Sequence, residues 1–453
     1  MNWNDKHKVF FVGIGGIGMS ALARHLLSQG KSVFGYDKVP SSITSSLETL
    51  GAEIVFDWSV ESIPQECLSS EQTLIIYTPA IPKEHPQLNY FIAQQFQVYK
   101  RSEILGLLSI DTYCIAIGGT HGKTTTSTLL THLLLANNSP VTAFLGGVSE
   151  NFKTNYVNNG SELMVVEADE YDRSFLTLDA DMACLTSIDA DHLDIYSTVE
   201  DLRTSFNEFA NKVKNPDRLF HHVDLPFKGK TYGVETPSDY RSDIRKVENG
   251  AFVFDLIYPE GRMDNLRAVL PGRHNVANTT AACAMALQLG CGEVAIRKGL
   301  DSFLGIQRRF SYRMKSPEFT LIDDYAHHPS EINAVYNAVA EMYPGQTTAV
   351  VFQPHLFSRT RDFAEEFAAS LSRFDQTFLL PIYPAREKPM IGVTSEWLLS
   401  LIENDQKAVI QKSEIASAFI QSGASIGLLL GAGDIGLEVE QIVSHLNRQN
   451  ELG

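Results

Sequence analysis

Two strand–glycine loop–helix passages constrain this chain more than anything else in it. The first is Gly13-Ile14-Gly15-Gly16-Ile17-Gly18, which follows the apolar run Lys8–Gly13 and opens a helical pattern over Ile17–Gln29. The second, Gly118-Gly119-Thr120-His121-Gly122-Lys123-Thr124-Thr125, follows the run Tyr113–Ile117 and opens a helix from Lys123 to about Leu135. Both place glycines where a backbone must turn tightly against a phosphate and where a helix N-terminus offers N–H groups and positive charge. A chain with two such loops is an α/β protein with nucleotide-sized ligands.

The rest of the pattern agrees. Ser32–Asp37, Glu53–Phe56 and Thr73–Tyr77 are short apolar runs suited to a parallel sheet covered on both faces. Leu163–Val166 and Met182–Thr186 read as strands beside the second loop, and Asn275–Leu289 as the helix closing that region. The alternating, turn-rich stretch from Arg218 to Ala268 predicts a small antiparallel insertion. A third α/β unit begins with strand Phe319–Asp323 and continues through helix Ser330–Met342, strand Thr348–Phe352, helix Arg361–Phe374, strand Thr377–Leu380, strand Ile426–Leu430 and helix Leu437–Asn447. Over 453 residues this makes three units, expected at 1–106, 107–309 and 310–453.

Composition excludes some classes of function. A net charge of −17 argues against a protein that coats nucleic acid, while leaving room for a local basic pocket. Cys67, Cys114, Cys184, Cys283 and Cys291 form no CxxC pair and sit mostly among apolar neighbours, as buried thiols of a reducing compartment do. The N-terminus lacks a signal-peptide core, and no apolar run reaches the roughly 18 residues of a membrane span. The expected location is the cytoplasm, with no membrane partner.

Taken alone, the first loop fits an NAD-type dinucleotide site, with Asp37 at the end of the next strand in the place of a ribose-binding acid. The second loop shifts the balance toward ATP. It is one residue shorter than GxxxxGK[ST], yet Lys123 can neutralise β- and γ-phosphate oxygens and Thr124 can reach Mg²⁺. Phosphoryl transfer needs hard oxygen ligands for that ion. Val165-Val166-Glu167-Ala168-Asp169-Glu170 and Asp189-Ala190-Asp191-His192 each place acids after a buried strand, where α/β active sites form. A dehydrogenase would leave the second loop idle, and a non-catalytic nucleotide switch would leave the acids and His192 idle.

Together, the motifs 119–126 (GlyThrHisGlyLysThrThrThr), 167–170 (GluAlaAspGlu), 189–194 (AspAlaAspHisLeuAsp), 272–278 (GlyArgHisAsnValAlaAsn) and 308–310 (ArgArgPhe) resemble those of the Mur ligases. These are the ATP-dependent amide-forming enzymes of peptidoglycan precursor assembly. The resemblance runs in order through nearly the whole chain. It implies a Rossmann-like N-terminal domain for a UDP-sugar, a P-loop ATPase-like central domain, and a Rossmann-like C-terminal domain that takes the amino acid and closes on ATP. The segments 13–20, 323–331 and 352–361 resemble the branch that joins L-alanine to the lactyl carboxylate of UDP-N-acetylmuramate; attachment of a preformed murein tripeptide is the nearest alternative. A monomer or weak homodimer is expected.

Carried over by position, the resemblance implies that Gly118, Gly119, Thr120, His121, Gly122, Lys123, Thr124, Thr125, Asn275, Asn278, Arg309 and Asp324 bind ATP. It implies Thr124, Glu167 and His192 at the metal. Gly15, Gly16, Ile17, Gly18, Met19, Ser20, Asp37, Thr78, Ala80 and Ile81 would hold the UDP-sugar. Lys123, Glu167, His192, Arg309, His327, His355 and Arg359 would serve catalysis, the last three lining the pocket for the amino acid and the reacting carboxylate. Leu356 departs from the family pattern, since many relatives carry a second basic residue there. That bears on how the amino acid's carboxylate is held.

Overall fold

A computed structural model describes residues 3–189, 196, 198–248, 250–385 and 387–450, with residues 449 and 450 described through their backbone. Asp191, His192 and Asp194 therefore lie outside the described residues. The chain divides into two compact units. One comprises 1–244, 255–266 and 277–304; the other comprises 245–254, 267–276 and 305–453.

The first unit opens with five strands: β1 (Lys8–Val12), β2 (Ser32–Tyr36), β3 (Glu53–Val55), β4 (Thr73–Tyr77) and β5 (Gln97–Lys100). They form a wholly parallel sheet in the order β3-β2-β1-β4-β5. The order reverses between β1 and β4, so a crevice opens at their C-terminal ends, where the first glycine loop lies. Phe11, Ile76 and Leu74 are fully buried, as central parallel strands require.

Next come β6 (Tyr113–Gly118), β7 (Val141–Phe144), β8 (Tyr156–Asn158), β9 (Leu163–Glu167) and β10 (Met182–Leu185). Then follow β11 (Leu219–His222), β12 (Lys230–Val234), β13 (Tyr240–Glu248), β14 (Ala251–Tyr258) and β15 (Gly261–Ala268). The sheet order is β15-β14-β13-β12-β11-β10-β6-β9-β7-β8. β6 is flanked by β9 and β10 in parallel register, which puts the ends of those two strands on either side of the second glycine loop.

The expected small antiparallel insertion over residues 218–268 is contradicted for its first three strands. β11 pairs parallel with β10, β12 with β11, and β13 with β12, so these strands extend the main sheet. The expectation rested on alternation and turn residues, which ordinarily mark hairpins. β12 and β13 pair over three residues only, Tyr232↔Tyr240 to Val234↔Ser242, and so short a ladder lets a brief loop return the chain.

The second unit holds β16 (Ser311–Lys315), β17 (Thr320–Asp324), β18 (Thr348–Phe352), β19 (Gln376–Leu379), β20 (Gln406–Val409) and β21 (Ile426–Leu430). Their order is β16-β17-β21-β18-β19-β20, parallel except for the antiparallel edge pair β16–β17. The expected helix Arg361–Phe374 is two helices, Phe357–Asp362 and Ala364–Leu371, broken at Phe363 with φ −118° and ψ 26°. Among the described residues no helix is long and apolar enough to cross a membrane.

Candidate active site

In the first unit, the second glycine loop leaves β6 and enters helix Lys123–Ala136. Two of its glycines are obligatory. Gly119 has φ +136°, and a Cβ there would stand 2.1 Å from Thr186 Oγ1 and 2.9 Å from the Ser187 amide. Gly122 has φ +83°, and a Cβ would stand 2.5 Å from Asn278 Oδ1, so the Asn278 side chain lies directly on the loop. The turn after β10 braces the rest. Thr120 N donates to Ser187 O (3.1 Å), His121 N to Ser187 Oγ (2.8 Å), and His121 Nε2 faces Asp189 Oδ2 at 3.5 Å.

The loop lysine points into a carboxylate. Lys123 Nζ donates to Glu170 Oε2 at 2.7 Å and Oε1 at 3.0 Å, and to Gly119 O at 2.5 Å. Burial works to lower the Lys123 pKa, but the charges of Glu170, Asp169 and Glu167 outweigh it and leave the ammonium above its usual range. Lys123 is therefore a cation held in position before any phosphate arrives. Thr124 Oγ1 donates to Glu167 Oε1 (3.1 Å), and Glu167 Oε2 accepts from Gly146 N (3.0 Å). A hydroxyl and a carboxylate oxygen thus stand side by side, the hard donor pair that Mg²⁺ takes alongside phosphate and water. Thr125 is buried behind them.

The first glycine loop is equally built. Gly13 takes φ +89°, with Ile81 and Thr78 packed against the place of its absent Cβ. Asp37 spends its carboxylate on backbone: Oδ2 accepts from Gly15 N and Oδ1 from Lys38 N, each at 2.7 Å. Ser20 is buried, and Asn155 Nδ2 donates to Ser20 Oγ at 3.0 Å and Ile17 O at 2.5 Å. A cavity of about 280 Å³ brings this loop together with the strand ends after β7 and β9. Gly16, Ile17, Gly18, Met19, Thr78 and Ala80 line it along with Gly146, Glu167 and Asp169.

The second unit gathers its own set. Asp324 ends β17 with Oδ2 accepting from Phe310 N (2.6 Å) and Oδ1 from Ala326 N (2.7 Å). Burial, opposed by nearby Arg309 and these amides, raises its pKa to about 6. Arg309 lies 3.9 Å from Glu331 Oε1 and 5.3 Å from the Tyr325 ring centre. The His327 and His355 rings stand 6.0 Å apart, edge to face, and His355 stacks on Tyr383. Helix Pro329–Met342 is capped by His328, whose Nδ1 accepts from Ser330 N, which leaves His327 to its pairing with Glu331 at 3.1 Å. Asn275 Nδ2 donates to Pro271 O at 2.6 Å. Arg359 is buried on helix Phe357–Asp362, just after Leu356, whose φ is +69° and whose side chain is also buried.

Three family models cover this arrangement in order: Mur ligase family, catalytic domain over residues 8–113; Mur ligase middle domain over 117–286; and Mur ligase, glutamate ligase domain over 308–434. The chain belongs to the Mur ligase family. Among its relatives, the UDP-N-acetylmuramate–L-alanine ligase of Flavobacterium psychrophilum is 49% identical over 449 residues, covering 99% of this chain and 100% of that protein. That of Christiangramia forsetii is 49% identical over 434 residues, 96% of each chain. The solved UDP-N-acetylmuramate–alanine ligase of Thermotoga maritima superposes with a TM-score of 0.82 at 26% identity, covering 98% of this chain and 99% of that one. A murein peptide ligase from Psychrobacter arcticus shares the fold at 18% identity and a TM-score of 0.71, covering 97% and 98%.

Several residues of this Mur ligase that build the site were not legible beforehand. Glu170 sits in a motif singled out for its acids, but only the structure reveals it as the partner of Lys123. Arg101 lines the cavity, and Asn155 ties the first loop to the strand region around β8; neither lies in a glycine motif. Arg308 reaches back to Gly431 O, with Asp323 at 3.4 Å, a role invisible beside the better-marked Arg309. A cation immediately after an edge strand was the only signal for Arg101.

Proposed function

We propose that this Mur ligase joins L-alanine to the lactyl carboxylate of UDP-N-acetylmuramate while cleaving ATP to ADP and phosphate; its relatives are named for the ligation of UDP-N-acetylmuramate and L-alanine. The observation that carries the reading is a cavity lined both by residues of the dinucleotide-type loop and by Glu167, the carboxylate that accepts from Thr124 of the ATP-type loop. A sugar nucleotide anchored by its diphosphate at residues 15–20 would extend its carboxylate toward the γ-phosphate. Residues 1–106, 107–309 and 310–453 would divide the work as sugar-nucleotide, ATP and amino-acid domains.

A carboxylate is a poor acyl donor, so a lactyl oxygen first attacks the γ-phosphorus, expelling ADP and forming an acyl phosphate. The alanine amine then attacks the acyl carbon, and the tetrahedral adduct releases phosphate. Lys123, pre-charged by Glu170, offsets phosphate charge without having to reorganise. The Gly118–Thr125 backbone orients the phosphates, with Asn278 against it. Mg²⁺, when bound, supplies further neutralisation of the β- and γ-phosphates; Thr124 and Glu167 fit it as oxygen donors, with His192 the third expected ligand. Arg309 and Asp324 would serve the nucleotide, and His327, His355 and Arg359 the amino acid. With Leu356 apolar, Arg359 is the cation assigned to the alanine carboxylate. The reaction belongs in the cytoplasm, where ATP is supplied, in a monomer or weak homodimer.

The purified chain should release phosphate when ATP, UDP-N-acetylmuramate and L-alanine are all present, giving a product heavier than the sugar nucleotide by one alanine residue. Turnover with L-Ala-γ-D-Glu-diaminopimelate but not L-alanine would replace this reading with tripeptide attachment.

A further inference from the structure

Two consecutive cations stand at the end of β5, Lys100 and Arg101, and both face the acidic loop after β9. Their attachments differ. Lys100 Nζ donates to Asp172 Oδ2 at 2.6 Å, a tight pair that fixes the loop. Arg101 stands 3.7 Å from Asp169 Oδ2, beyond hydrogen-bond reach, so its guanidinium is held by charge alone and its donors remain unspent among the described residues. The acid is the fixed member, because Asp169 Oδ1 accepts from Tyr171 N at 3.1 Å.

Arg101 also has a second neighbour. A Cβ at Gly18 would stand 2.0 Å from its Nη1, so the guanidinium lies against the first turn of helix Ile17–Ser28. That turn carries no acid, and its N-cap, Gly16, offers no side-chain oxygen. Gly16, Ile17 and Gly18 at the helix N-terminus and Arg101 all line the cavity. An anion there would gain charge-assisted, fork-like bonds that Asp169 does not make at 3.7 Å. Asp169, in turn, is one of the charges felt by Lys123 in the ATP-type loop.

We propose that Arg101 exchanges partners, leaving Asp169 for the diphosphate of the sugar nucleotide, and that this exchange leaves the charge of the fixed Asp169 uncompensated in the field of the ATP-type loop. Binding at one loop thereby alters the field at the other, which is a coupling between two sites through one movable cation. The inference rests on the reading of the cavity as the sugar-nucleotide site.

Calorimetric titration of the full chain with UDP alone, and with UMP as the single-phosphate control, tests it. Arg101→Met should weaken UDP binding by roughly 10- to 100-fold, the scale of a lost charged hydrogen-bond pair, and UMP binding by much less. Arg101→Lys should recover part of the loss. Asp169→Asn keeps an oxygen for the Tyr171 amide and removes the competing charge, so it should tighten UDP binding roughly two- to fivefold, a surface-pair effect. That gain should vanish in the double variant. Saturating UDP should change the affinity for a non-hydrolysable ATP analogue in the parent chain but not in Asp169→Asn. Unchanged UDP affinity in Arg101→Met, weaker binding in Asp169→Asn, or an ATP-analogue effect that survives in Asp169→Asn overturns the exchange while leaving the ligase reading intact. A parent chain that binds no UDP overturns both.

Discussion

Lys123 and Glu170 illustrate how a buried charge is kept ready inside a protein. Glu170 is fully buried, and its two oxygens are both engaged by one ammonium. Lys123→Ala should abolish phosphate release and also strand a buried carboxylate, at a cost of about 3–5 kcal/mol for breaking such a pair. Adding Glu170→Gln should restore most of the melting temperature without restoring turnover; turnover in either variant would remove Lys123 from the chemistry. Asp324 makes the opposite case. Its pKa is raised to about 6, chiefly by burial, from an ordinary value of 3.8. Between those values the folded state binds more protons than the unfolded one, so this group's contribution to stability falls as pH rises from about 4 to about 6. The stability difference between the parent chain and Asp324→Asn, followed by denaturant unfolding, should decline over that window and flatten above it. A flat difference throughout contradicts the raised pKa.

At the scale of elements, the glycine loops tie function to fold. Gly119→Ala would drive a Cβ onto Thr186 Oγ1 and the Ser187 backbone in a left-handed conformation, straining the turn proposed to align the phosphates. It should raise the KM for ATP at least tenfold and destabilise the chain by about 1–3 kcal/mol, readable from initial rates and thermal melts; an unchanged KM would detach the loop from ATP. The loops, and strands such as Thr73–Tyr77, Thr348–Phe352 and Ile426–Leu430, were legible in advance because glycine spacing and apolar runs are local signals. The parallel extension β11–β13 was not, because alternation and turn residues ordinarily mark hairpins, whereas here each strand returns to run parallel to its neighbour. The helix break at Phe363 was hidden as well, since no glycine or proline marks it. The same limit explains the site. Asn278 could be assigned from its motif, whereas the pairing of Glu170 with Lys123 and the place of Arg101 against Gly18 arise only when separate strands end side by side.

For the whole molecule, the account is that ATP serves to activate a sugar-linked carboxylate. The chain carries a net charge of −17, and Arg101 and the N-terminus of helix Ile17–Ser28 line the cavity proposed to take the sugar nucleotide. Anionic substrates must therefore be captured by local charge against an unfavourable overall field. Raising ionic strength screens both effects, and the local one, partly buried, is screened less. Moderate salt should thus speed capture of UDP-N-acetylmuramate, seen as a higher kcat/KM between 0.02 and 0.15 M added salt (roughly twofold); a steep fall would mean that the local cations dominate at long range. The most direct test of the central claim follows oxygen. With ¹⁸O in both oxygens of the lactyl carboxylate, turnover with ATP and L-alanine should yield inorganic phosphate carrying one ¹⁸O, delivered through the acyl phosphate. Phosphate without label, released at the rate of amide formation, would contradict it.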